Sequence, residues 1–292
     1  MRLASIKLGG EEIAALVTPQ GLVPVRAFKD LGQEFEDNLF SLIDKEQIDA
    51  LKAWWETEGL PNINLWLKYV IPAEEVEYAP LYRHPRKIWG IGLNYVEHAA
   101  DLQASTPKSE PASFMKPDTS IIGHGDYIEI PRQSNRTTAE AELGVIIKKR
   151  CYGIGEKEVM DYIAGYTTII DMTAEDILMQ NPRYLTRAKS FNTFFSFGPH
   201  FVTPDEVPDL YNLKVATVFN GKVHRENIIA NMTFRPETLV AFHSQVMTLL
   251  PGDIISTGTP GAVVINDGDT VECRIAGFEP LVNPVKDLKV CE

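Results

Sequence analysis

The sequence predicts an α+β fold in two parts: a small N-terminal αβ unit over residues 1–80, and a mostly antiparallel, mixed β-domain rolled on itself over residues 81–292. Three observations lead there. From residue 200 onward candidate strands outnumber helices and the turns between them are short. A proline-punctuated passage from Pro61 to Pro85 separates the two parts. The stretch that begins at Glu140 alternates carboxylates with apolar residues and then becomes wholly apolar, as a strand entering a sheet interior would. The regular βαβ alternation of a doubly wound sheet is missing.

The elements follow in order. Leu3, Ile6 and Leu8, then Ile13, Ala15 and Val17, alternate like short strands broken at Gly9-Gly10 and Gln20-Gly21. Asp44 and Gln47 have the spacing of a capping box, after which Ile48, Leu51 and Trp55 recur at helical intervals. Trp54 and Trp55 read as packing residues. Lys87 to Tyr95 is an apolar strand leading to a helical start; its Gly90-x-Gly92 lacks the third glycine of a dinucleotide fingerprint, since Tyr95 stands there. In Val96-Glu-His98-Ala-Ala-Asp101, a helical turn would bring His98 against Asp101. The polar segment from Leu102 to Ala112 reads as a lid loop, and Phe114-Met-Lys116-Pro117 as an extended piece. Ile163 to Ile170 predicts a strand ending at Asp171, with Thr173 and Asp176 spaced to cap a helix. Asn220-Gly221 signals a hairpin after the alternating run from Leu213 to Phe219. Pro236 opens a helix with Leu239, Phe242, Val246 and Leu250 on one face, stopped by Pro251-Gly252.

Composition bounds the function. The chain has 292 residues, 44% of them hydrophobic and 23% charged, the proportions of an ordinary globular protein, and a formal net charge of −12. No Lys/Arg cluster offsets that charge, which argues against a nucleic-acid or anionic-membrane surface. Cys151, Cys273 and Cys291 are three, far apart and without a C-x-x-C pair, which suits a reduced, cytoplasmic protein. No signal-peptide core forms before Gly9-Gly-Glu-Glu, and no apolar run is long enough to span a bilayer.

The chemistry concentrates at Glu140-Ala-Glu142. On a strand these two carboxylates share a face, while Ala139, Ala141, Leu143, Val145 and Ile147 take the other. Like charges on a half-buried strand need a proton or a cation beside them. Asp171, at the end of another apolar run, is placed to add a third oxygen. Three carboxylates without nearby Cys or His suit a hard cation, Mg²⁺ or Mn²⁺, with Ca²⁺ as a substitute. The bland alternative is a solvated strand edge for the two glutamates, a structural role for His98, a surface position for Lys189 and a plain turn role for Thr259.

Taken together, six motifs resemble the fumarylacetoacetate hydrolase family over roughly residues 85 to 287. They are Gly92-Leu-Asn-Tyr-Val-Glu-His98, Phe114-Met-Lys116-Pro117, Glu140-Ala-Glu142-Leu, Gly165-Tyr-Thr-Thr-Ile-Ile-Asp171-Met-Thr-Ala, Ala188-Lys189-Ser-Phe, and Met247 through Pro260. Residues 1 to about 80 resemble the smaller N-terminal domain of its longer members. The resemblance implies a homodimeric rolled β-fold holding Mg²⁺ or Mn²⁺ at Glu140, Glu142 and Asp171. It further implies a base at His98 supported by Asp101, an active-site lysine at Lys189 and an oxyanion contact from Thr259. The expected substrate is a small 2-keto acid, cleaved as an acylpyruvate-type 2,4-diketo acid; decarboxylation or keto–enol tautomerisation of an oxaloacetate-like acid is the alternative, and a non-catalytic metal-stabilised scaffold the second. Departures from the family pattern lie at Asp101, commonly glutamate; at Leu93, arginine in several relatives; and at Glu175 and Leu178, where many members carry Arg and Gln facing the substrate. Lys116, Glu175 and Leu178 are placed on the substrate side, with Arg183 or Arg187 as replacements for the lost cation.

Overall fold

The computed structural model describes residues 1–97, 107 and 109–290. His98, Asp101, most of the expected lid and Cys291 lie outside the described residues.

Three strands open the chain, β1 (Arg2–Leu8), β2 (Glu11–Thr18) and β3 (Gly21–Pro24), followed by two short helices, α1 (Leu39–Asp44) and α2 (Ile48–Trp54). Next come β4 (Ile88–Gly92), β5 (Ala112–Lys116), β6 (Ile121–Ile122), β7 (Ile128–Ile130) and the long central pair β8 (Thr137–Ile147) and β9 (Ile163–Ala174). Helices α3 (Glu175–Gln180) and α4 (Leu185–Lys189) lead to β10 (Phe195–Val202), β11 (Lys214–Phe219), β12 (Lys222–Ile228) and α5 (Pro236–Val246). The chain finishes with β13 (Ile254–Ser256), β14 (Ala262–Ile265), β15 (Thr270–Ile275) and β16 (Leu281–Asp287).

These strands form two mixed sheets, which bears out the α+β expectation. The larger runs β3-β2-β1-β10-β9-β8-β13-β4-β5, with β14 also on β8 and β6 on β10; the smaller runs β12-β11-β15-β16-β7. Most pairs are antiparallel, but β13 with β4, β10 with β6 and β16 with β7 are parallel. The N-terminal strands extend the main sheet, because β1 pairs with β10 through Arg2↔Val202 and Ala4↔His200. The aromatic residues around α2 pack locally: Phe28 lies 4.6 Å from Trp54, and Trp55 lies 5.1 Å from Trp66, ring centre to ring centre.

The alternation read from β8 governs the packing. Ala139, Ala141, Leu143, Val145 and Ile147 belong to the core between the sheets, with Val215, Val271 and Leu281 of the smaller sheet. Ile146, of opposite parity, joins the other core with Leu3, Phe28, Leu42 and Phe197. The sheet is therefore covered on both faces, and Glu140 and Glu142 stand on the face that further along packs against the N-terminal unit.

Three local expectations are corrected. Asp44 ends α1 and does not cap α2, which starts after Gln47 without a side-chain cap; it is α1 that is capped, by the Asn38 side-chain oxygen accepting from the Ser41 N–H. Asp171 is internal to β9, since pairing with β8 continues to Thr137↔Ala174, and Asp176 holds Ser134 and Asn135 without capping Thr173. Helix α5 buries Leu239, Val240, His243 and Ser244, leaving Val246 60% exposed. Its buried face carries polar groups that a hydrophobic pattern passes over: Ser244 Oγ accepts from the Ile154 N–H, and Ser244 O from the Gly153 N–H. The Asn220-Gly221 hairpin forms as expected, both residues having positive φ, 48° and 76°.

Candidate active site

Glu140 on β8 lies directly opposite Asp171 on β9 in the antiparallel register, and Glu142 stands two residues along the same face. One oxygen from each of the three carboxylates falls within 4.8 Å of the others. All three side chains are buried, so the solvated-edge alternative does not describe them.

Two lysines reach this cluster from neighbouring elements. Lys189, closing α4, donates to Glu140 Oε2 at 2.9 Å and to Asp171 Oδ2 at 2.5 Å, and its ammonium lies 4.6 Å from the Phe114 ring centre. Lys116, at the end of β5, donates to Asp171 Oδ1 at 2.5 Å and to Met172 O at 3.1 Å. Glu142 has no lysine. Its Oε2 accepts instead from Ser256 Oγ at 2.5 Å and from the Gly258 N–H at 2.8 Å.

The electrostatics follow from that division. Three carboxylates against two ammonium groups leave one negative charge over. Burial, reinforced by the Asp171 and Glu140 charges, pushes the Glu142 carboxyl up to about 8. For Asp171 burial works in the same direction, but Lys116 and Lys189 outweigh it and hold the acid below its usual value. Burial would depress Lys189; Asp171 and Glu140 reverse this and raise it. Lys116 has less compensation, and burial lowers it to about 8.

The loop that delivers Gly258 is fixed by Asn94. Its amide donates to Thr257 O at 2.7 Å and Phe234 O at 2.9 Å, while its oxygen accepts from the Phe234 N–H at 2.8 Å. Gly258 has φ +94°, and a Cβ there would come within 2.8 Å of Asn94 Cβ, so glycine is required on both counts. Thr259 is buried beside it, its hydroxyl donating to Gly261 O at 3.2 Å and accepting from the Gly261 N–H at 3.1 Å.

A cavity of about 720 Å³ opens from this cluster, within the size range of small-molecule sites. Glu140, Glu142, Lys189, Thr138, Thr173 and Thr259 contribute polar wall; Leu93, Phe114, Leu178 and Met179 are among the apolar residues; Arg136 and Glu175 form an ion pair. Of the residues expected on the substrate side, Glu175 and Leu178 line the cavity. Lys116 does not, being fully enclosed behind Asp171. Arg183 and Arg187 are exposed and outside the lining, Arg187 lying over the Tyr184 ring. The placement of His98 and Asp101 falls outside the described residues. Sequence reasoning passed over Arg136, Thr138, Thr173 and Asn94. The first three were within reach of the strand alternation, since 136 and 138 share parity with Glu140, and 173 with Asp171.

The residues fit a hard divalent cation. Their donors are carboxylate oxygens only, one carboxylate lacks a counter-charge, and the buried Thr173 hydroxyl on the cavity wall has no protein partner.

Two mixed sheets carrying a buried carboxylate triad, two members of which line a cavity, define a β-rich scaffold with a candidate hard-cation site. The particular family follows from comparison: the model "Fumarylacetoacetate (FAA) hydrolase C-terminal" matches residues 87–286, and the chain belongs to that family. A protein of Archaeoglobus fulgidus is 43% identical over 208 residues, 71% of this chain and 81% of its own. The mitochondrial oxaloacetate tautomerase Fahd2a of Rattus norvegicus is 35% identical over 224 residues, 74% of this chain and 71% of the relative. Among solved structures, maleylpyruvate hydrolase from Sphingobium sp. SYK-6 in complex with manganese(II) ion and pyruvate superposes with a TM-score of 0.80 at 25% identity, covering 98% of this chain and 99% of that one. Among the described residues no helix is long and apolar enough to cross a membrane.

Proposed function

We propose that this chain is a divalent-cation-dependent hydrolase of a 2,4-diketo acid, cutting the bond between C3 and C4 to release pyruvate and a carboxylic acid. The observation that carries this reading is the buried Glu140/Glu142/Asp171 cluster, whose Glu142 has no lysine hydrogen-bonded to it, beside a cavity that Glu140 and Glu142 line. Those three residues would hold Mg²⁺ or Mn²⁺, and the bound cation would polarise the carboxylate and 2-keto oxygens of the substrate. Lys116 keeps Asp171 oriented from behind, while Ser256 and the Gly258 N–H fix Glu142. In this reading His98, oriented by Asp101, takes a proton from water as it attacks C4. Lys189 donates to the oxyanion developing there, and Thr259 adds a second donor if its hydroxyl turns from Gly261. The proton held by His98 then passes to C3, so that one water is consumed for each bond cut.

A second reading is tautomerisation or decarboxylation of an oxaloacetate-type acid on the same residues. It is favoured by the identity to the rat tautomerase, 35% over 224 residues. The test is turnover of an acylpyruvate panel and of oxaloacetate with Mn²⁺ or Mg²⁺, in the wild type and in His98→Ala. Acylpyruvate cleavage that collapses in the variant supports hydrolysis. Enol–keto conversion or decarboxylation of oxaloacetate with no acylpyruvate cleaved supports the second reading.

A further inference from the structure

The cavity is charged at its base and apolar along much of its wall. Leu93, Phe114, Leu178, Met179 and Leu185 line it, and apart from Lys189 its only basic lining residue among those described is Arg136. Arg136 is already engaged there: its guanidinium Nε donates to the Glu175 carboxylate, so its charge is balanced before a ligand arrives. Both residues line the cavity, and their side chains differ in burial: Glu175 is 13% exposed and Arg136 50%.

The pair is tied at its backbones too. The Glu175 N–H donates to Arg136 O at 2.9 Å. Asp176, the next residue of α3, accepts from Ser134 Oγ and from the Asn135 N–H, each at 2.8 Å. The turn carrying Arg136 is therefore stitched to the start of α3, and the pair cannot separate by a swing of either segment alone.

We propose that the Arg136–Glu175 pair is a charge filter that selects 2-keto acids with an uncharged distal chain over those ending in a second carboxylate. This rests on the reading of the cavity as a 2-keto acid site. A ligand held at the carboxylate cluster by its keto-acid end extends its other end toward α3. An alkyl chain there meets Leu178 and Met179 and leaves the ion pair intact. A terminal carboxylate meets Glu175, a like charge. The Arg136 it also meets has its charge already balanced by Glu175, so the second anion finds no net counter-charge at this end of the cavity. Glu175 thus works by repulsion, and Arg136 by holding the Glu175 side chain in place.

Two six-carbon acids isolate the effect: 2-oxohexanoate and 2-oxoadipate differ only in a terminal methyl against a terminal carboxylate. Binding of each to the wild-type protein with saturating Mn²⁺ is measured by calorimetry at pH 7.5, so that the readout does not depend on turnover. The expected result is a preference for 2-oxohexanoate of about tenfold or more, the scale of one misplaced charge. Glu175→Gln frees Arg136 and lowers that ratio by about tenfold, whereas Arg136→Gln leaves Glu175 unopposed and raises it. The ratio is the readout because a general loss of folding weakens both ligands alike, and the two variants are expected to move it in opposite directions. Tighter binding of 2-oxoadipate by the wild type, or one ratio shared by all three proteins, overturns the filter while leaving the keto-acid reading in place. Absence of binding by either acid overturns the keto-acid reading and the filter with it.

Discussion

Glu142→Gln is the substitution that most directly tests how the carboxylate cluster is balanced. Gln keeps an oxygen for the two donors seen on Glu142, Ser256 Oγ and the Gly258 N–H, and removes only the charge. In the cation-free fold the Glu142 carboxyl rises from 4.5 to about 8, first through burial and then through Asp171 and Glu140. That rise corresponds to about 5 kcal/mol at roughly 1.4 kcal/mol per pH unit. The sign follows from which state holds the proton. Below pH 4.5 Glu142 is protonated in both states and costs nothing. Between 4.5 and 8 the unfolded chain releases a proton that the fold retains, so stability falls as pH rises, and above 8 the loss is complete. About 3 kcal/mol of it lies between pH 6 and 9. Denaturant unfolding in EDTA at those two pH values should therefore show the variant gaining on the wild type by about 3 kcal/mol. Adding Mn²⁺ should reverse the order: free cation at a hundred times its Kd stabilises a site by about 2.7 kcal/mol, and the variant lacks one of the three anionic ligands. A stability difference that does not grow with pH, together with equal Mn²⁺ stabilisation of both proteins, would refute the reasoning.

Two further perturbations probe the surroundings. Lys116→Met removes a fully enclosed partner of Asp171 and should cost about 3–5 kcal/mol in EDTA by denaturant unfolding; a loss below about 1 kcal/mol would show that Lys189 alone balances Asp171. His200, buried beside Tyr78, is lowered from 6.5 to about 4 by burial, with Arg2 and His124 adding to it. It is neutral in both states above pH 6.5. As pH falls toward 4 the unfolded chain takes up a proton that the fold refuses, so stability is lost in that window. Between pH 7 and 5 the wild type should lose about 2 kcal/mol more than His200→Gln, and parallel losses would contradict it.

Much of the site was legible in the sequence because a strand has a period of two. That period alone placed Glu140 and Glu142 on one face, and the split of Leu143 and Ile146 between two different cores shows the same alternation. The pairing of Glu140 with Asp171 required the register of two strands separated by an insertion, which no local pattern specifies. Arg183 and Arg187 were credited with the missing cation because they follow Glu175 closely along the chain. The cation beside Glu175 is Arg136, 39 positions earlier, brought there by the turn that Asp176 clamps. Helix caps failed for a related reason. A candidate cap and its partner can be read locally, but the competitor that takes the partner cannot, as Ser134 takes Asp176. The small residues Ala139 and Ala141 carried a signal that was not used. They admit the second sheet closely enough for Thr217 Oγ to accept from the Ala141 N–H at 3.2 Å.

The arrangement of charge explains why the fold can hold this cluster at all. Asp171 meets two lysines and Glu140 shares one of them, whereas Glu142 is served by a hydroxyl and a backbone N–H. Dipoles satisfy the hydrogen-bonding capacity of an oxygen without cancelling its charge, so the unmet demand is localised at one residue and not spread over three. Asn94 and Gly258 are then structural requirements of the site, because they set the N–H that faces Glu142. A third lysine in place of Ser256 would have neutralised the cluster and removed its demand for a cation. The scaffold thus stops one charge short of balance, and the free energy left in that shortfall is available to cation binding.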